Sequence, residues 1–337
     1  MQKNRRIEGL VLTQRFHQLQ AELSSPALPQ GIAHAQLLQK NDQVAQLLGL
    51  DARVLDSQEF LEVFSGNALL TDSHPIACAY AGHQLGNFNP FLGDGRSVLL
   101  GEIQSPSGYW DVGLKGAGKT AYAFSADGRA TIDECLHEDT VSERLAQLGI
   151  PTTRTLCVIR GSQKVYRSGF KAIAVLARVA PSFVRFGSFE YCYFKKDTHA
   201  LKVLADYVIG RHFSDCSSAN DDNNYAQFFY QVVEKTAMLI ASWQNAGFVH
   251  GMMNTDNQSI VGITLDLGES VFIDNKDDSF VASATDEHGR YAFGQQPLIG
   301  LWNCNVLARA LSPLISSKNL KHALSNYEKT YLEHLKV

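Results

Sequence analysis

The spacing of apolar residues divides the chain into a helical stretch, a stretch of short strand-like runs and a second helical stretch. Leucines and valines of the first 70 residues, Leu37, Leu38 and Val44 among them, recur at helical spacings. This spacing predicts a helical extension over residues 1–75. Beyond it, apolar runs separated by Gly-rich or polar turns predict strands at residues 97–103, 110–114, 154–160, 164–167 and 173–179.

One helix interrupts the predicted strands. Thr131, with Glu134 three residues later, forms a capping-box pattern, and Gly149 marks the other end, which predicts a helix over residues 132–148. At 100° per residue, Glu138 falls on the apolar stripe of this helix. A carboxylate that is buried in this way needs a cationic partner.

The pattern becomes helical again after residue 182. Helices are predicted over residues 198–213 and 225–246 and from about residue 298 onward. The expected fold is therefore α+β, with a helical extension (1–75), a β-rich lobe with one internal helix (76–182) and an α-rich lobe (183–337).

Composition and charge narrow the class of protein. The chain has 337 residues, of which 45% are hydrophobic, and a formal charge of −4. It is long enough for two domains, and its charge offers no overall attraction to nucleic acid or to an anionic membrane. No run of 18 apolar residues is present, the N-terminal pattern leads us to expect no signal peptide, and the six cysteines are scattered. We therefore expect reduced, mostly buried thiols and a cytoplasmic protein.

One segment matches a nucleotide-binding sequence motif, but the residues that follow it do not favour the helix that this motif requires. Residues 113–120 read GLKGAGKT and match the Walker A pattern. A true P-loop opens a helix, whereas Asp127 and Gly128 break any helix that starts here. This argues against a P-loop NTPase, and a Gly-rich hairpin with exposed lysines is the simpler alternative.

A second candidate site lies in the α-rich part. Asp256 and Asn257 follow His250. Asp266 stands nine residues after Asn257, and a glycine follows two residues later. In kinases, a loop Asp accepts a hydroxyl proton, while an Asn and a later Asp hold Mg²⁺ against the phosphates. The order of residues fits this chemistry, but the spacing does not. An Asx-rich turn is the alternative interpretation.

Candidate residues of the β-rich and α-rich stretches can be combined into one site. Lys115, at the end of a predicted strand, is the cation expected for Glu138, as in the strand Lys and helix Glu of kinases. The turn that contains Gly93, Gly95 and Arg96 allows backbone to approach a phosphate. Arg178 and Arg185 flank the junction and could hold a triphosphate, although a lone Arg is more often a surface ion pair.

Ten ordered motifs carry a resemblance to a known family. They are GHQLGNFNP (82–90), LGDGR (92–96), LKGAG (114–118), DGR (127–129), LGIPTTR (148–154), RVAPS (178–182), RFGSFEY (185–191), FVHG (248–251), MNTDN (253–257) and GRYAF (289–293). Together they resemble the SelO (YdiU) family of pseudokinase-like protein adenylyltransferases, from about residue 25 to 311.

The resemblance implies a protein-kinase-like two-lobed fold that binds ATP in a flipped orientation. It implies transfer of AMP to Ser, Thr or Tyr hydroxyls of proteins, with Mg²⁺ or Mn²⁺ and release of pyrophosphate. Asp256 would accept the proton, Asn257 and Asp266 would bind the metal, and Glu138 would pair with Lys115. The nucleotide contacts would be Gly93, Gly95, Arg96, Lys115, Asp127, Gly128, Arg178, Arg185 and Asp266.

The chain also departs from the family pattern. The predicted helix carries acidic residues near Glu138, including Asp133 and Asp139. Their negative charge would weaken triphosphate binding. Family members continue beyond this chain with a helical region that ends in a redox-active Cys or selenocysteine pair, so we expect a C-terminally shortened product. The alternatives are an ATP-binding protein of weak or absent activity, or an ordinary phosphotransferase.

Overall fold

The computed structural model describes residues 3–19, 21–216 and 221–336, and the expected domain ends at residues 1 and 337 lie outside these ranges. Its internal contacts divide the chain into two compact units. Unit 1 comprises Met1–Ala79, Phe91–Glu143 and Thr153–Ser182. Unit 2 comprises Tyr80–Pro90, Arg144–Thr152 and Phe183–Val337.

Unit 1 is built around a large, mainly antiparallel sheet. Among the described residues, nine strands form it in the order β2-β5-β7-β8-β11-β10-β3, with β6 on β5 and β9 on β11, while β1 and β4 form a separate parallel pair. The strands are β1 (Lys3–Arg5), β2 (Ser24–Pro26), β3 (Gln36–Lys40), β4 (Ala68–Leu70), β5 (Ile76–Gln84), β6 (Asn87–Gly93), β7 (Ser97–Ser105), β8 (Gly108–Lys115), β9 (Ala130–Thr131), β10 (Arg154–Arg167) and β11 (Gly169–Ala180). The strands predicted at residues 97–103, 110–114 and 173–179 are confirmed, whereas those predicted at 154–160 and 164–167 form the single strand β10.

The first 75 residues differ from the helical extension that their spacing predicts. The described residues of this stretch include the short α-helices α1 (Asp42–Leu47) and α2 (Gln58–Phe64), together with β1 to β4. Leu37 and Leu38 lie in β3, which pairs antiparallel with β10. The periodicity of a short apolar run does not distinguish a strand from a helix. Residues 36–40 form a strand because they pair with the edge of β10.

The predicted internal helix is confirmed as α3 (Ile132–Gln147). The backbone N–H of Thr131 donates to Glu134 and the N–H of Glu134 donates to the Thr131 hydroxyl, so the capping box is present. Gly149 adopts a left-handed φ of 72° just beyond the helix. Cys135 of this helix packs against Val158 and Leu176 of the sheet.

Unit 2 is mainly helical. Its elements are α4 (Phe186–Phe194), α5 (Thr198–His212), α6 (Asp221–Ala246), β12 (Phe248–Val249), β13 (Val271–Phe272), α7 (Gln296–Leu311), α8 (Ser317–Ser325) and α9 (Tyr327–His334). Helix α6 contacts α7, α8 and α9. Its apolar face buries Phe229 and Trp243 completely, which explains why this helix could be predicted. Within the described ranges, no helix is both long and apolar enough to cross a membrane.

Candidate functional site

A buried ion pair joins the sheet of unit 1 to its internal helix. Lys115 is the last residue of β8, and its Nζ contacts Oε1 of Glu138 on α3. Only 7% of Lys115 and 5% of Glu138 are exposed. Charges buried this deeply are costly unless they are paired, so the pair fixes the Lys115 ammonium at one place on the sheet.

Arg178 projects from the same face of the sheet as Lys115. In the antiparallel pair of β11 and β8, Leu176 lies opposite Lys115, and Arg178 is two residues further along the strand. Residues two apart on a strand share a face. Arg178 is buried, and its Nη2 lies 3.4 Å from the Ser97 hydroxyl. Two predicted phosphate-binding cations are thus neighbours on one surface.

The acidic residues around α3 have partners of their own. Arg96 Nη1 lies 2.8 Å from Glu134 Oε1, and Lys171 Nζ lies 3.1 Å from Asp133 Oδ2. These carboxylates are therefore locally neutralised. Arg96, which the sequence predicts as a phosphate ligand, is held by the first turn of the same helix that carries Glu138.

The glycine turn between β6 and β7 packs against a short segment near Tyr122. A Cβ atom at Gly93 would lie 2.3 Å from the Tyr122 ring, and one at Gly95 would lie 2.9 Å from the Tyr122 carbonyl oxygen. The Thr120 hydroxyl donates to the carbonyl oxygen of Asp94 at 2.7 Å. Close packing on this segment is therefore a structural reason for both glycines.

The Walker-like sequence does not form a P-loop. Lys115 ends a strand, and within the described residues 116–129 no helix begins. Instead, the Gly118 N–H donates to the Gly128 carbonyl at 3.0 Å, and a Cβ at Gly128 would lie 2.2 Å from the Gly118 carbonyl carbon. Asp127 forms a 2.7 Å ion pair with Arg167, whose hydrogen bonds lower the pKa of Asp127 to about 2.

In unit 2, Arg185 brings the two predicted acidic residues together. Its Nη1 donates to Oδ2 of Asp266 and to the backbone oxygen of Asp256, at 2.8 Å each. The guanidinium carbon lies 4.6 Å from the centre of the Tyr80 ring. Only 4% of Arg185 is exposed. The sequence predicts a phosphate contact for Arg185, and the structure gives it these protein partners.

Asp256 is buried, and one of its carboxylate oxygens is not satisfied. Oδ2 accepts a hydrogen bond from Gln84 Nε2 at 3.2 Å, whereas Oδ1 has no hydrogen-bond partner among the described residues. Burial raises the pKa of Asp256 to about 6, against the opposing charge of Arg185. A Cβ at Gly82 would lie 2.6 Å from Oδ1, so only glycine leaves room for this carboxylate.

The predicted metal ligands are an amide and a carboxylate. Asn257 donates through Nδ2 to the Met252 carbonyl oxygen at 2.9 Å, which leaves Oδ1 as its remaining acceptor. Asp266 adopts a left-handed φ of 54° and 20% of its side chain is exposed. No group of three or more His, Cys, Asp or Glu residues that could hold a metal occurs in the part of the chain that the structure describes.

Sequence reasoning missed the segment that positions this loop. The backbone N–H of His83 donates to the Thr255 hydroxyl at 2.7 Å, and the N–H of Leu85 donates to Asn254 Oδ1 at 3.1 Å. The hydroxyl of Tyr291 also donates to Asn254 Oδ1, at 2.6 Å. These residues all lie inside the ordered sequence motifs, but only the three-dimensional contacts reveal what they do.

Comparisons with known proteins agree with one another. A family model described as "Protein adenylyltransferase SelO" matches residues 7–336. "Protein nucleotidyltransferase YdiU" of Pseudomonas aeruginosa (strain LESB58) is 44% identical over 329 residues, which are 97% of this chain and 67% of the relative. The protein of the same name from Aliivibrio salmonicida (strain LFI1238) is 43% identical over 321 residues, which are 95% and 66% of the two chains.

A solved structure is also similar, though distantly. The structure "WaaP in complex with acyl carrier protein" shares 12% identity, with a TM-score of 0.27, over 70% of this chain and 86% of that one.

Proposed function

Because the chain belongs to the SelO family, we propose that it is a protein adenylyltransferase, which transfers AMP from ATP to Ser, Thr or Tyr hydroxyls of proteins. The observation that carries this proposal is the family match, which spans residues 7–336. The relatives at 41–44% identity are named protein nucleotidyltransferases.

The fold that we propose is protein-kinase-like, with unit 1 as its β-rich part and unit 2 as its α-rich part. The pairing of Lys115 on β8 with Glu138 on α3 supports it, since kinases hold their phosphate-binding Lys by a helix Glu in this way. A cytoplasmic location is part of the same proposal. The six cysteines are free thiols, and all but Cys78 are buried, as the sequence predicts.

We assign phosphate binding to the cations of unit 1. Lys115 and Arg178 share a sheet face, and Arg96 lies beside the start of α3. Attack on the α-phosphorus leaves pyrophosphate with extra negative charge, which fixed cations stabilise in a site that excludes water. The turns at Gly93, Gly95, Asp127 and Gly128 complete the assignment as nucleotide contacts. In unit 2, we assign Arg185 and Asp266 as nucleotide contacts.

We assign proton transfer to Asp256. Its Oδ1 has no donor among the described residues, so this oxygen can accept the proton of an acceptor hydroxyl. A pKa of about 6 is close to the range in which a general base works near neutral pH. The hydroxyl oxygen then bonds to the α-phosphorus, the bond to the pyrophosphate oxygen breaks, and the proton stays on Asp256.

Asn257 and Asp266 fit a hard divalent cation such as Mg²⁺ or Mn²⁺. Both offer oxygen donors, and Mg²⁺ commonly takes only one or two protein ligands besides substrate phosphates and water. The Asp266 side chain is 20% exposed, so its carboxylate is accessible to such a cation. When bound, the cation would neutralise phosphate charge, while Arg185 holds the Asp266 carboxylate in place.

Radiolabelled ATP tests the proposal. Label from the α-phosphate is expected to enter protein, and Asp256→Asn is expected to reduce its incorporation at least 100-fold, as for the loss of a general base. Label that enters from the γ-phosphate instead would identify a phosphotransferase. A thermal shift with Mg·ATP but no transfer would identify a nucleotide-binding protein without this activity.

A further inference from the structure

A mostly apolar cavity lies in unit 2, and none of the groups assigned above is among its lining residues. It has a volume of about 300 Å³ and is lined by residues of α4 and α7 and by the segment around His83. Its apolar wall includes Phe88 and Phe194, which are 41% and 42% exposed. This volume is at the lower end of ligand pockets and suits one large side chain.

One residue of the cavity lining has a buried carboxylate oxygen without a hydrogen-bond partner among the described residues. Glu190 lines it and is only 4% exposed. Its Oε2 lies 2.6 Å from Nδ1 of His83, while its Oε1 is buried and has no hydrogen-bond partner in the described ranges. A buried acceptor without a donor is costly, so a ligand that brings one N–H or O–H group would be favoured here.

A second cavity of about 420 Å³ adjoins the first and shares Tyr193 and Phe194 with it. It is more polar, and its lining includes Lys196 and Asp197. Two cavities that share these aromatic residues, the second less apolar than the first, suit consecutive side chains of a polypeptide. A polypeptide segment is therefore a better fit than a single small molecule.

We propose that the first cavity docks a protein substrate by taking an aromatic side chain with a donor group, tryptophan or tyrosine, whose N–H or O–H binds Glu190 Oε1. Buried Trp and Tyr side chains need this combination of apolar walls and one polar partner. Arg309 also lines the cavity and disfavours a cationic side chain. The proposal rests on the proposed function, because it names how the substrate is held.

The cavity is connected to the loop that carries Asp256. His83 contributes its ring to the cavity and its backbone N–H to Thr255, the residue before Asp256. The next residue, Gln84, donates to Asp256 itself. A segment docked on His83 and Glu190 is thus held at a fixed position relative to the proposed proton acceptor.

A binding experiment with matched variants tests the pocket. The probe is N-acetyl-tryptophanamide, followed by ligand-observed NMR, and its 1-methylindole analogue lacks the donor. Val306→Trp fills the cavity from α7, and Asn305→Trp places the same side chain on the exposed neighbouring position as the control. Binding is expected in the wild type and in Asn305→Trp but not in Val306→Trp, and the methylated probe should bind about tenfold more weakly or worse.

Probe binding that survives Val306→Trp, equal binding of the methylated probe, or no binding at all would each overturn the pocket. Its role in docking is read from AMP transfer. In Val306→Trp, KM for a labelled protein acceptor should rise about tenfold or more, while KM for ATP stays unchanged. An unchanged acceptor KM rejects the docking role. Absence of AMP transfer in wild type and Asn305→Trp, with probe binding intact, would refute the proposed function and leave the pocket standing.

Discussion

Arg185 and Asp266 form an ion pair of 2.8 Å in unit 2, in which the guanidinium is 4% and the carboxylate 20% exposed. The same guanidinium nitrogen holds the backbone oxygen of Asp256 at 2.8 Å. A single cation therefore fixes both the side chain of one predicted functional residue and the main chain of another. Removal of this cation should affect the folded state as well as the reaction.

The first prediction concerns this pair. Arg185→Leu leaves the Asp266 carboxylate without this partner and should lower the free energy of unfolding by about 3 kcal/mol. Arg185→Lys keeps the charge but offers a different donor geometry, so it should recover only part of the loss. Urea denaturation measures both. Arg160→Ala, at an exposed arginine of β10, is the control and should change stability by less than about 0.5 kcal/mol.

The second prediction is a double-mutant cycle on Lys115 and Glu138. Either single change, Lys115→Met or Glu138→Leu, removes this partner from the other buried charge and should cost about 3–5 kcal/mol of unfolding free energy. The double variant removes both charges and should lose less than the sum. It should still fail to gain thermal stability from Mg·ATP. Additive losses would contradict the pairing.

The third prediction concerns glycine beside the proton acceptor. A Cβ at Gly82 would lie 2.6 Å from Asp256 Oδ1, so Gly82→Ala must displace this carboxylate. AMP transfer should fall by at least tenfold, while thermal stabilisation by Mg·ATP is retained. Gly210→Ala in α5 is the matched control, since a Cβ there would meet no atom within 4 Å. It should retain full transfer and gain slight stability.

The fourth prediction is a pH dependence of stability. Burial, aided by Arg211 and Lys235, lowers the pKa of His212 from 6.5 to about 4. Between these two values the unfolded chain binds more protons than the folded one, so the free energy of unfolding falls as the pH falls through this window. The full loss, by about pH 4, is about 3 kcal/mol.

His212→Asn removes this titration. The free energy of unfolding of this variant is measured by urea denaturation at pH 8 and at successively lower pH. Between pH 7 and 4 it should fall by about 3 kcal/mol less than that of the wild type. The measurement at pH 8, where His212 is neutral in both states, gives each protein its own reference. Parallel curves for the two proteins would show that His212 does not titrate as a buried group.

Local patterns were enough to predict part of this site. The capping box at Thr131 and the helical stripe that includes Glu138 both act within one helix, and the need for a cation then pointed to Lys115. Residues 36–40 were assigned to the wrong element type because strand pairing with β10 depends on a partner more than 100 residues away, as in the Ile159 and Leu37 register.

The contacts around Asp256 could not be predicted for the same reason. Gly82 and Gln84 meet Asp256 across more than 170 residues, and no period in the sequence reports such a contact. The pairing of His83 with Glu190 spans 107 residues and carries no local signal either. The sequence motifs include these residues, but their contact partners are evident only in the folded structure.

The identity of the transferred group tests the central claim most directly. Purified protein is incubated with Mg²⁺ and ATP labelled at either the α- or the γ-phosphate, in parallel with the Asp266→Ala variant. We predict that the wild type incorporates α-label into protein and no γ-label, and that Asp266→Ala incorporates neither. Incorporation of γ-label, or α-label that is undiminished in Asp266→Ala, would contradict the account.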